Sequence, residues 1–190
     1  PCLKGILKKE TTNLEHTLIY CTDKDPSQLE NVNALLNTME NTKMFRQITD
    51  QETSTNKLVD NILKSFRSGE TKILTAKRVL DEGVDIPQTK RAYVLASNTV
   101  ERQWTQRRGR ILRKCKEINK EFAEIFDFVV LPFGVLDKIP EEVSKYEKKL
   151  ISLELPRLKE FSRLSRNNIA INGPYEFILK LEDLCVEEDE

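Results

Sequence analysis

Gln106-Arg-Arg-Gly-Arg110-Ile-Leu-Arg113 sets four arginines and a glycine into eight residues. On a helix, Gln106, Arg110 and Arg113 stand at i, i+4 and i+7 and share one face. Trp104, Ile111, Leu112 and Cys115 fall on the other side, where they can anchor that helix against a sheet. Gly109 costs a helix about 1 kcal/mol relative to alanine, so its presence predicts a neighbour packed closely against that turn. Two guanidiniums aligned with a carboxamide suit a polyphosphate, because arginine keeps its charge and its fork matches phosphate oxygens. On charge alone, a solvated helix face is the better reading of the same segment.

Outward from this segment, short apolar runs alternate with helical patterns, as in a parallel sheet flanked by helices. Thr17–Cys21 reads as the first strand, followed by a helix with Asp25 as cap, Pro26 in its first turn and Gln28 three residues after the cap. Leu29, Val32, Leu36 and Met39 mark the buried side of that helix. Met44–Ile48 reads as a second strand. Thr55 or Asn56 caps the next helix, whose apolar stripe is Leu58, Val59, Ile62, Leu63 and Phe66 and whose stop is Gly69. Three further strands are predicted at Lys72–Ala76, Arg91–Ser97 and Phe122–Val130. Right-handed crossovers would line the C-terminal strand ends along one edge, the usual ligand edge of open α/β sheets. From residue 136 the pattern becomes helical: Val143, Tyr146, Leu150 and Leu153 mark a helix that Pro156 should kink or interrupt. Gly173-Pro174 precedes a last amphipathic helix. The expected organisation is an α/β lobe over residues 1–135 and a helical tail over 136–190 that packs on the lobe or on a partner.

Composition narrows the possibilities. The 190 residues carry 31 basic and 31 acidic side chains, a net charge of zero. The basic charge is nevertheless concentrated: eight lysines and arginines between Arg102 and Lys120 face one acid, Glu117, and a local basic run can bind phosphates on a neutral molecule. No apolar run is long enough to span a membrane, and the basic first ten residues do not resemble a signal peptide. A chain that starts at Pro1 reads as an excised piece of a longer one. The four cysteines, Cys2, Cys21, Cys115 and Cys185, are too scattered for a zinc knuckle or redox pair. They read as structural thiols, so no metal site is expected, and isolated thiols favour a reducing compartment, here the cytoplasm. His16, the single histidine, reads as an ordinary strand-edge residue.

The spacing Q-x-x-G-R-x-x-R resembles motif VI of superfamily 2 helicases, and Ile73 to Pro87, ending in Gly83-Val-Asp85-Ile-Pro87, is similar to their motif V. Thr17–Cys21 with its helix resembles motif IV, and Phe66-Arg-Ser-Gly69 the F-x-x-G that precedes the motif V strand. The two main motifs stand in the family's order with a strand between them, and the likeness covers roughly residues 10–131 and extends into the helical tail. It implies the C-terminal RecA-like lobe of a helicase motor. By that resemblance Arg110 and Arg113 are arginine fingers that reach the γ-phosphate of ATP held by another lobe, and Gln106 couples the two lobes nearby. Asp85 accepts a hydrogen bond from the ribose, while Gly83 lets the backbone approach the nucleotide. Thr75 contacts a nucleic-acid phosphate, with Ala76 and Lys77 beside it, and Thr22 and Lys24 can touch the phosphate backbone.

Gln106 at the head of motif VI and E-G-V-D-I-P in motif V are closer to double-strand DNA translocases, the branch of restriction-enzyme motor subunits and excision-repair helicase relatives. Leu112 stands where RNA helicases of the DEAD-box type carry a second glycine, and Lys77-Arg78 makes the motif V turn unusually basic. No G-x-x-x-x-G-K-[ST] occurs in the sequence, so ATP with magnesium is expected to be held mainly by an N-terminal RecA-like lobe of the full-length protein. By itself the chain is expected to be inactive. Duplex DNA is the expected partner, with an RNA helicase lobe or a non-catalytic scaffold lobe as the alternatives.

Overall fold

A computed structural model describes residues 2–9, 14–22, 24–39, 44–49, 56–77, 84–95, 101–171 and 173–186. In chain order the elements are α1 (Cys2–Lys9), β1 (Thr17–Cys21), α2 (Pro26–Asn37), β2 (Phe45–Ile48), α3 (Asn56–Arg67), β3 (Ile73–Lys77), β4 (Arg91–Val94), α4 (Glu101–Ile111), β5 (Glu124–Asp127), α5 (Lys145–Arg163) and α6 (Pro174–Asp183). The five strands form one parallel sheet in the order β2-β3-β1-β4-β5.

β1 runs through the middle, with every residue buried, as a central parallel strand covered on both faces requires. Its side chains alternate between two cores. Leu18 and Tyr20 join Val59, Ile62, Leu63 and Phe66 of α3 and Ile111 of α4. Ile19 and Cys21 join Leu3 and Leu7 of α1 and Leu29, Val32 and Leu36 of α2. The sheet is therefore sandwiched, with α3 and α4 on one face and α1 and α2 on the other. Within the α3 stripe, Leu58 proves exposed.

Contacts divide the chain into a sheet unit of residues 1–98 and 102–128 and a mainly helical unit of residues 99–101 and 129–190. In the helical unit α5 and α6 share a core of Ile151, Leu155, Leu158, Ile178 and Leu181. Tyr146 and Leu153, expected on the buried side, face solvent, and Ile151 and Leu155 take their place. Pro156 neither ends nor interrupts α5, which continues to Arg163. Buried side chains on both sides of the proline hold the helix together despite the one missing backbone donor. A reciprocal capping box between Ser144 and Glu147 starts this helix. Among the described residues no helix is long and apolar enough to cross a membrane.

Candidate functional site

α4 presents two different sides. Trp104, Arg107 and Ile111 are buried, and the Arg107 guanidinium lies 4.3 Å from the centroid of the Tyr20 ring. The basic run is thus partly core, not a uniform solvated face. Gln106 is exposed and Arg110, one turn on, is half-buried. The helix ends at Ile111, so Arg113 does not continue its face as the spacing suggests. Its amide bonds to the Arg110 carbonyl at 3.3 Å in a tighter turn. Leu112, expected to anchor the helix, is exposed, whereas Cys115 is buried. Gly109 also departs from expectation: among the described residues nothing lies within 4 Å of where a Cβ would stand.

Both arginines reach the same short segment ahead of β4. Arg110 Nη1 donates to the Val84 carbonyl at 3.1 Å, and Arg113 Nη1 pairs with Asp85 Oδ2 at 2.5 Å. The pair is not sealed in the core, since the two side chains are 54% and 44% exposed. Asp85 Oδ1 is itself buried and, among the described residues, has no hydrogen-bond partner. A carboxylate oxygen in that state costs about 1–3 kcal/mol, and a hydroxyl donor supplied by a ligand would satisfy it.

Lys120, which in the sequence is one more member of the basic run, is buried beside this cluster. Its Nζ donates to the carbonyls of Ile111 (2.6 Å), Arg113 (2.8 Å) and Pro87 (2.8 Å). Burial pulls its pKa down to about 8, opposed by Cys115 and Asp85. Lys120 stands just ahead of β5 and Pro87 just ahead of β4, so the cluster sits beside the end of the sheet where those strands begin. It does not sit at the C-terminal strand ends, where ligand groups were expected to gather.

Those C-terminal ends carry the second set of candidates. Thr22 follows β1; its amide donates to Gln28 Oε1 at 2.7 Å, and its hydroxyl accepts from the Lys24 amide at 3.1 Å. Gln28 is therefore turned back to the loop, while Asp25 caps α2 through the Ser27 amide. Lys24 is exposed and Lys77, the last residue of β3, is half-buried. Ala76 is fully buried. Thr75 is also fully buried; its hydroxyl donates to Asn33 Oδ1 at 2.9 Å, and Asn33 Nδ2 donates to Gln47 Oε1 at 2.9 Å. Thr75 is thus a structural link between β3, α2 and β2 and offers no hydroxyl at the surface. Thr75→Val is expected to lower stability by about 1–3 kcal/mol by stranding Asn33, whereas Thr75→Ser retains the bond. Equal urea midpoints for Thr75→Val and the parent chain would refute this role. Gly83 lies outside the described residues.

His16 and the cysteines belong to neither of these two sets of candidates. His16 is buried in the left-handed region at φ 58°, and its ring packs edge-on against Phe66. Burial, reinforced by Lys90, lowers its pKa. All four cysteines are free; Cys21 and Cys115 are buried, Cys185 is half-buried and Cys2 is exposed.

The sequence profile of the helicase conserved C-terminal domain matches residues 2–115. The DNA 3'-5' translocase XPB2 of Sulfurisphaera tokodaii is 47% identical over 55 residues, which are 29% of this chain and 12% of that protein. The crystal structure of the C-terminal part of the Fun30 ATPase domain aligns with a TM-score of 0.55 at 13% identity, covering 97% of this chain and 51% of that one. S. cerevisiae Dbp5 bound to Gle1 and IP6 aligns with a TM-score of 0.51 at 15% identity, covering 96% of this chain and 41% of that one. At those identities the two structures speak to the fold alone. The chain spans about half the length of the Fun30 fragment and about an eighth of the translocase.

Proposed function

Because this chain belongs to the helicase conserved C-terminal domain family, we propose that it is the second motor lobe of an ATP-dependent DNA helicase or translocase. The observation that carries the reading is the convergence of Arg110 and Arg113 on Val84 and Asp85 at a partly exposed surface. The buried, unpartnered Oδ1 of Asp85 fits a nucleotide ribose hydroxyl. Bound ATP supplies the phosphoryl group, and it and its magnesium rest mainly on a first lobe that carries the P-loop this chain lacks. From this side, Arg110 and Arg113 neutralise charge on the γ-phosphate, Gln106 on the exposed flank of α4 couples the lobes, and Asp85 accepts from the ribose. Gly83 would bring the backbone close to the nucleotide. The open space above Gly109 leaves room for the opposing lobe.

Lys24, Thr22 and Lys77, at the C-terminal ends of β1 and β3, are the groups we assign to the nucleic-acid backbone. Such contacts position the strand without reading its sequence. DNA, in duplex form, is favoured over RNA by the Gln106 head of motif VI and by the named activity of the Sulfurisphaera relative. Four free thiols fit a reducing compartment such as the cytoplasm.

The test is ATP turnover by the full-length protein. Duplex DNA is expected to stimulate it, with a salt dependence set by phosphate contacts, and the isolated chain is expected to hydrolyse no ATP. Stimulation by RNA and not by duplex DNA would overturn the substrate class. Indifference to every nucleic acid would overturn the motor itself.

A further inference from the structure

We infer that Lys120 is a positioning residue for the arginine pair, its ammonium tying the end of α4 to the loop that carries Asp85 and so setting where Arg113 stands. The inference rests on the motor-lobe reading and deepens it. An ammonium has three donors and no acceptor, and here all three find carbonyls, those of Ile111, Arg113 and Pro87. Ile111 and Arg113 lie at the C-terminal end of α4, where helix carbonyls lack partners and a cation is favoured. Pro87 stands two residues beyond Asp85 in the other segment. One buried cation therefore joins the backbone of Arg113 to the backbone beside its ion-pair partner. An apolar side chain at position 120 would strand three carbonyls and leave the two segments without this tie.

The tie is sensitive to the proton that makes it. Asp85 and Cys115 favour the charged form, burial opposes it, and the balance is a pKa of about 8. Arg113, paired with Asp85, and His16, whose own pKa Lys120 helps to lower, complete the charged surroundings. Proton loss leaves two donors for three carbonyls, which loosens the Arg113–Asp85 pair. It also relieves the buried charge. Between about 8 and the ordinary value of 10.5 the unfolded chain holds a proton that the folded one has released, so stability rises with pH across that window. Local loosening and global stabilisation thus run in opposite directions, which no passive spacer would produce.

The experiment follows the Lys120 ¹³Cε and Asp85 carboxyl ¹³C signals of the chain from about pH 6 to about pH 12, a range spanning the ordinary and shifted lysine values. Both are expected to change with one midpoint near 8. In Lys120→Met the Asp85 signal should adopt the high-pH position throughout. In the full-length protein the same variant should lower kcat by between about tenfold and 10²-fold, the scale of a misplaced catalytic group, with the KM for ATP little changed. A Lys120 midpoint near 10.5 with a flat Asp85 signal overturns the inference. So does an unaltered Asp85 signal in a folded Lys120→Met chain. Should that variant not fold, the parent titration decides by itself. If the coupled titration is present but Arg113→Ala leaves ATP turnover intact, the tie stands and the motor reading beneath it falls.

Discussion

Arg110→Ala in the full-length protein is expected to lower DNA-stimulated ATP turnover by on the order of 10³-fold or more, within the range attributed to arginine fingers. The geometry explains why the effect should be large. Among the described residues Arg110 makes one hydrogen bond, from Nη1 to the Val84 carbonyl. A guanidinium has five N–H donors, so most of its fork is left for phosphate oxygens, and its half-buried setting limits competition from water. Arg110→Lys should recover little, since a point charge on a flexible stem cannot reproduce bidentate contact. Because the side chain is peripheral to both cores of the sheet, the melting transition of the lobe should barely move. The kinetic loss should fall on kcat, as expected for a group that acts on the transition state more than on the bound nucleotide. Undiminished turnover in Arg110→Ala would remove the finger assignment. A full-length protein with no ATPase to lose, whatever nucleic acid is added, would favour a scaffold lobe instead.

What the sequence disclosed, and what it withheld, follows from the range of the forces involved. β1 was readable because a central parallel strand must be apolar at successive positions, and Thr17–Cys21 is one of the chain's clearest apolar runs. α2 was readable from Asp25 and Pro26, whose effects are local. α1 is hard to read because its apolar Leu3, Ile6 and Leu7 are interleaved with three lysines and Gly5 in only eight residues. The spacing of Arg113 continues the α4 face only if the helix continues, and it stops at Ile111, where the Ile111 and Arg113 carbonyls bond to Lys120 instead of to backbone amides of a further turn. The motif makes Thr75 a phosphate contact, whereas its place in β3, between β2 and β1, turns its hydroxyl to Asn33, and strand order is not written in any single strand. Tyr146 and Leu153 show the same limit in a helix: an apolar stripe gives the period, but its phase is set by what packs against it, here α6.

Phe66→Ala is the second large effect, expected on stability and not on chemistry: about 3–5 kcal/mol, as for other buried phenylalanines. Phe66 is fully buried in the core shared by α3, the sheet and Ile111. It opens the F-x-x-G segment, and the geometry gives that pattern a mechanical meaning. α3 stops at Arg67, Gly69 takes φ 82°, and its amide returns to the Phe66 carbonyl at 3.2 Å. Thr71 then bonds back to Ser65, and Lys72 bonds to Met44 at the start of β2, delivering the chain into β3. The ring also supports His16, packed edge-on at 5.4 Å, whose carbonyl receives the Lys90 amide at 2.9 Å. Removing the ring therefore empties a site in the core it shares with Leu18 of β1, Leu74 of β3 and Ala92 of β4. Phe66→Leu should recover much of the loss by retaining apolar volume. Trp104, the single tryptophan and buried in the same unit, makes its fluorescence during urea unfolding the appropriate probe. A loss below about 1 kcal/mol on that probe would show that the cavity collapses without strain, and would return the F-x-x-G phenylalanine to the status of an ordinary core residue.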